Sequence, residues 1–178
     1  MRTTLLCALV LGGGAFAVSA SAQDSQTLTV QSQVAPYCSE FSVNAAPMNL
    51  GSLAGATGQV VADFNGAPES SREISASFYC NAPSKITLEA NPLLNDEVSV
   101  IEDSSSFTNR VDYTAVLRWR DLEGSASSTL ADGQEINALQ ANTGPITLTL
   151  TDPVTSGNLR PVAGSYSGEV HLTITLTQ

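Results

Sequence analysis

An all-β sandwich is the fold this sequence predicts, and three observations predict it. Past residue 22, no helical periodicity persists for ten residues. Short runs of alternating apolar and polar residues recur instead, separated by Asn-Gly, Ala-Pro, Asp-Gly and Ser-Gly turn pairs. The chain ends on YSGEVHLTITLT, residues Tyr166 to Thr177, in strict alternation. Tyr166, Gly168, Val170, Leu172, Ile174 and Leu176 fall on one face, and Ser167, Glu169, His171, Thr173, Thr175 and Thr177 on the other. That period of two is one long strand with a dry face and a wet face. A long apolar strand at a chain end needs neighbours, or its edge invites aggregation.

Residues 1–22 read as a secretory signal peptide. Arg2 precedes the apolar run LLCALVLGGGAFAV, and Ala20-Ser21-Ala22 is an A-x-A cleavage site. The run is too short and glycine-rich for a spanning helix. No other segment reads as one, and Cys7 leaves with the signal. The expected location is outside the cytoplasm. The 156 residues that follow suffice for one domain with a good core. They hold two cysteines, Cys38 and Cys80, and an exported chain with two cysteines most simply makes one disulfide. Closing a loop of that length stabilises by roughly 4 kcal/mol in the chain-entropy model.

The first predicted strand is TLTVQSQV, with Leu28, Val30 and Val34 alternating with polar residues and Ser32 interrupting the apolar row. Phe41 and Val43 continue a strand past Cys38. Ala46-Pro47 turns the chain into Met48-Asn49-Leu50, ended by Gly51. Val60 to Phe64 is the next strand, stopped by Asn65-Gly66. Ile74, Ala76, Phe78 and Cys80 share an inward face, and Ile86, Leu88 and Ala90 return beyond Ala82-Pro83. Residues 91–106 are irregular apart from a short apolar piece at Val98–Val100. Val111, Tyr113, Ala115, Leu117 and Trp119 form the best middle strand. Gly124 to Thr129 reads as a loop of small residues. Ile146, Leu148 and Leu150 alternate with threonines, and Pro153 and Ser156-Gly157 turn the chain toward the last strand.

Chemistry is harder to find than structure. Removal of Arg2 leaves six cationic side chains against 17 acidic ones, a net charge near −11. No basic patch exists to neutralise phosphates, so nucleic acid is not an expected partner. The acidity suits solubility. Asp96-Glu97 and Glu102-Asp103 lack the spacing of a calcium loop. The single histidine, His171, stands among threonines with no second ligand for zinc and no serine motif beside it. Trp119 shares a face with Val111 and Leu117 and is placed as a cap on the core rather than as a binding aromatic. No catalytic residue, cofactor or metal is predicted, and the chain does not read as an enzyme.

The order of these features resembles the spore coat protein U-like domain found in subunits of archaic chaperone–usher pili. The resemblance rests on Leu28–Val34, Cys38, Met48-Asn49-Leu50-Gly51, Cys80, Val111–Leu117 with Tyr113, and Ala163-Gly164-Ser165-Tyr166 leading into Val170–Leu176. It spans the whole chain after the signal. Thr177 stands where pilins commonly carry an aromatic residue, and 121–135 lacks the family's glycine-rich tryptophan motif.

The resemblance implies an immunoglobulin-like sandwich, residues 36–178, that lacks its last strand. Residues 23–35 become a donor segment, with Leu28, Val30 and Val34 as anchors. A groove is expected beside the C-terminal strand, formed by Tyr166, Val170, Leu172, Ile174 and Leu176. A periplasmic chaperone would fill that groove first. An outer-membrane usher and the N-terminal segment of a neighbouring subunit would follow, in a case of β-strand addition. The implied role is a surface pilus in adhesion or biofilm formation. Two alternatives remain: a self-contained secreted sandwich with Leu28–Val34 as its own edge strand, and a small adhesin or carbohydrate-binding module.

Overall fold

The computed structural model describes residues 26–41, 46–64 and 67–177. The signal-peptide reading and Val43 lie outside them. By contacts the chain divides between Val34 and Ala35. In the first unit, residues 26–34 form neither strand nor helix. Leu28, Val30 and Val34 are 87%, 85% and 81% exposed, so the strand expected there is not formed.

The second unit is all-β. Its strands are β1 (Ser71–Cys80), β2 (Ser84–Ala90), β3 (Leu93–Asn95), β4 (Phe107–Thr108), β5 (Arg110–Trp119), β6 (Leu122–Ser127), β7 (Gln134–Ala138), β8 (Asn142–Val154), β9 (Arg160–Pro161), β10 (Tyr166–Ser167) and β11 (Val170–Leu176). The larger sheet runs β1-β8-β5-β3-β10, with β6 on β5; a second sheet runs β11-β2-β7, and β4 pairs with β9. All the ladders of the two main sheets are antiparallel. This matches the sandwich class.

Strand-period alternation builds the core. Ile86, Leu88 and Ala90 of β2 face Val111, Tyr113, Ala115, Leu117 and Trp119 of β5 and Ile146, Leu148 and Leu150 of β8, all buried. Trp119 is fully buried and does not cap anything; its ring lies 5.3 Å from Phe78, which meets Phe41 edge-on at 5.5 Å. Ala76, expected inward, is exposed, because two register shifts between Glu73 and Phe78 turn that part of β1 over. Cys38 and Cys80 form the expected disulfide, and Cys38 sits on an isolated antiparallel bridge.

Several boundaries differ from the sequence reading. The last strand is two strands. Tyr166–Ser167 pairs with β3 in the larger sheet, while Val170–Leu176 pairs with β2 in the other. The chain changes sheets at Gly168, whose backbone lies against the Pro92 carbonyl; a Cβ there would fall 2.8 Å from that oxygen. The loop expected at Gly124 to Thr129 is mostly strand: Leu122–Ser127 forms β6 against β5. β7 and β3 were not foreseen, the latter inside the stretch 91–106 expected to be irregular, and Pro153, expected at a turn, lies inside β8. Met48–Leu50 and Val60–Phe64 are not strands either. Gly51 and Gly58 hold φ of +68° and +74° there, and their turns leave only an Ala54–Val60 bridge. Phe64 is nevertheless buried in the core.

Candidate functional site

The two sheets meet on one side and stay apart on the other. β6 and β7, the edges on the first side, pack together at Gly124. A Cβ on Gly124 would sit 2.9 Å from Ile136 Cδ1 and closer still to its Cγ1, so only glycine fits. On the opposite side, β1 and β11 are the facing edges, and no ladder joins them.

The β1 edge is covered at its two ends. Near the disulfide, the Ser39 amide donates to the Tyr79 carbonyl at 2.8 Å and the Asn81 amide to the Tyr37 carbonyl at 2.9 Å. At the other end, the Glu69 amide donates to the Asn49 carbonyl at 3.1 Å. Arg72 reinforces that end. Its guanidinium donates to the carbonyl of Ala46, to that of Pro47 at 3.0 Å and to Glu69 Oε2 at 2.5 Å. The Asn49 amide also donates to Glu69 Oε2, at 3.1 Å. The Asn49 amide and the Arg72 guanidinium together hold the Glu69 carboxyl below its ordinary value.

Between this edge and β11 opens a slot of about 1080 Å³. Met48, Leu50 and Leu53 line one wall, and Val170 and His171 of β11 the other. Its floor is the sandwich core itself: Ile74, Leu93, Tyr113, Leu148 and Leu150. Burial pushes the Tyr113 hydroxyl up to about 12, and it donates to the Glu169 carbonyl at 3.4 Å. Arg160 stands at the mouth. Among the described residues it is the one cationic side chain with no ion pair.

The slot leaves β11 incompletely covered. Val170, Leu172 and Ile174 face the core yet are only half-buried, and Leu176 is 36% exposed. Leu88, directly across the ladder from Leu172, is fully buried. Of the five residues expected to form a groove, Tyr166 and Val170 line this slot. Leu172, Ile174 and Leu176 continue along β11 beyond it. Met48–Leu53 and Arg160 were not among the site residues the sequence suggested. Short glycine-rich loops carry no periodic signal that would have found them.

Other chemistry is sparse. His171 is half-exposed, with Nε2 3.2 Å from Glu169 Oε2. Among the described residues, no group of three His, Cys, Asp or Glu side chains could hold a metal ion, and no helix is long and apolar enough to cross a membrane. The slot's lining combines apolar side chains with the hydroxyls of Ser52, Ser165 and Ser167. Comparison with protein families, curated proteins and solved structures yields no match to this chain.

Proposed function

We propose that this chain is a secreted structural subunit that polymerises by strand exchange. On this reading the sandwich is immunoglobulin-like and lacks one strand. The slot beside β11 receives Leu28, Val30 and Val34 of a neighbouring copy. The observation that carries the reading is the slot itself, an opening onto apolar core beside an unpaired strand edge. A strand laid there would add backbone hydrogen bonds to β11 and drop alternate side chains onto the core.

Size supports the fit. Leu28 to Val34 spans the same number of residues as Val170–Leu176. Each large anchor buried would contribute on the order of 1.5–3 kcal/mol. A segment free at one end leaves its own subunit without unfolding it. A head-to-tail contact of this kind does not close, so copies would grow into a fibre. With the sequence resemblance, this points to a chaperone–usher pilus, with a chaperone holding the slot before assembly and an adhesive or biofilm role at the surface.

The test uses the chain without residues 23–34 and a synthetic peptide of residues 23–35. The truncated chain, produced with a pilus chaperone, should fold, bind the peptide and fail to form ladders on non-denaturing gels. A truncated chain that folds and still ladders overturns the reading. The self-contained sandwich has one observation in its favour: Met48, Leu50 and Leu53 already pack against the core and narrow the slot. It expects a stable monomer that ignores the peptide.

A further inference from the structure

The disulfide end of the sandwich carries an exposed apolar patch that the slot does not explain. The Tyr37 and Tyr79 rings lie 6.0 Å apart and are 50% and 43% exposed. Leu139, which follows β7 at the same end, is 83% exposed. Beside Tyr79, a shallow hollow of about 380 Å³ is lined by Asn81, Arg120, Ala141 and Thr143. Arg120 holds φ of +55°, uncommon for a side-chain-bearing residue. Gly144 makes room for it, since a Cβ there would lie 3.1 Å from that of Arg120. Lys85 and Arg118 at this end are tied to Glu135 and Glu123 at 2.5 Å, whereas Arg120 meets only Asp121, at 3.5 Å.

We propose that this patch, centred on Tyr37, Tyr79, Leu139 and Arg120, docks against the body of the neighbouring copy that takes the N-terminal segment. The proposal rests on the strand-exchange reading. Its geometry comes from chain length. Only Ala35 and Pro36 separate Val34 from Tyr37. At about 3.3–3.6 Å per residue, a seated Val34 leaves Tyr37 within roughly 11 Å of the slot's end. The patch must therefore face the neighbour, and the occupant is a second copy of this chain.

Charge selects which end it faces. An inserted strand parallel to β11 would leave Val34 beside Leu176, at the neighbour's own disulfide end, where Lys85 pairs with β11's last residues across the ladder. An antiparallel strand would leave Val34 beside Val170, at the opposite end. There the segment between β3 and β4 carries Asp96, Glu97, Glu102 and Asp103, none of which is in an ion pair among the described residues. Arg120 meets unpaired acids in the second arrangement, and in the first only an end whose cations and acids already pair with one another. Antiparallel pairing is also slightly more stable per residue.

The experiment compares full-length chains lacking only the signal peptide: wild type, Arg120→Glu, Leu139→Ser, and Arg120→Glu with Asp103→Lys. Assembly is followed by light scattering, and binding of the 23–35 peptide reports the slot separately. Arg120→Glu should slow assembly by about tenfold at low salt, since rim charges act mainly on association. Leu139→Ser should slow it less, Asp103→Lys should restore much of the loss, and peptide binding should not change. Variants that bind peptide and assemble at the wild-type rate overturn the docking surface and leave strand exchange standing. A wild-type chain that binds peptide but never assembles overturns the docking surface as well. Failure of the peptide to bind any of the chains overturns both.

Discussion

Across the β2–β11 ladder, Leu88 and Leu172 are direct partners in one sheet, yet one is fully buried and the other half-exposed. The difference belongs to the two sides of the sandwich. On the β6–β7 side, a glycine lets the edges interlock. On the β1–β11 side, the edges stand apart and the core is reached through a slot. Apolar pattern alone does not decide burial; the next strand over does. A face that is apolar in sequence but half-covered in the folded chain is surface still waiting for cover.

Carboxylate substitutions should separate the two sides most sharply. Leu88→Asp places an unpaired charge in a closed core and should cost at least about 4 kcal/mol, enough to remove folded protein. Leu172→Asp should cost clearly less, because Leu172 is only half-buried on the open edge of its sheet and its carboxylate stays within reach of water. Thr173→Asp, on the outer face, should be nearly silent. Denaturant midpoints would rank the three. Equal losses at Leu88 and Leu172 would mean that β11 is as closed as β2.

Reducing the Cys38–Cys80 disulfide is the next largest effect, up to about 4 kcal/mol from the chain-entropy model. It also bears on the comparison, because the bridge pins the segment that covers the lower end of the β1 edge. Hydrogen exchange on the reduced protein should rise first at Ser39 and Asn81, whose amides bond across that edge, and last at Gly124 and its neighbours. Uniform loss of protection would make the bridge a global staple rather than a local cover of the β1 edge.

Gly124→Ala tests the closed side alone. The new methyl would meet Ile136, and overpacking of this kind costs about 1–3 kcal/mol. Ile136→Ala in the same chain should relieve the clash, leaving a double mutant more stable than the sum of the single losses predicts. Binding of the 23–35 peptide, on the other side, should be unaffected by either change.

The sequence made the sheet-forming residues legible and the edges illegible. Val111 to Trp119 and Ile86 to Ala90 alternate cleanly because both strands are paired on either side over most of their length and turn one apolar face to the core. β6 was hidden, since Leu122–Ser127 is mostly small and polar and is held by its ladder to β5. The break at Gly168 was hidden by its own pattern: glycine keeps the alternation intact while the chain passes from one sheet to the other. The slot's outer wall, Met48 to Leu53, has neither period nor strand geometry. Its position depends on Arg72 and Glu69, some twenty residues away, and such a tether is not written in any local window.

That tether gives the smallest and most selective prediction, one that touches only the open side. The Glu69 carboxylate accepts from the Asn49 amide and pairs with Arg72, and both favour its charged form. Its value in the folded chain is therefore below the ordinary 4.5. A lowered value means the contribution is fully present above the ordinary carboxylate range and is lost as pH falls through the folded one. Near-neutral changes in pH should leave the wall alone, while acidification below the ordinary carboxylate range should loosen it. Glu69 is partly exposed, so the effect on global stability is small. The local effect is what distinguishes the sides. Exchange at the Glu69 amide, bonded to the Asn49 carbonyl, should accelerate on acidification beyond the intrinsic pH trend, and the amides of β5 should not. Glu69→Gln should abolish that pH step while keeping one acceptor for the Asn49 amide. An acid step that persists in Glu69→Gln would assign the titration to another carboxyl and leave Arg72 alone holding the wall.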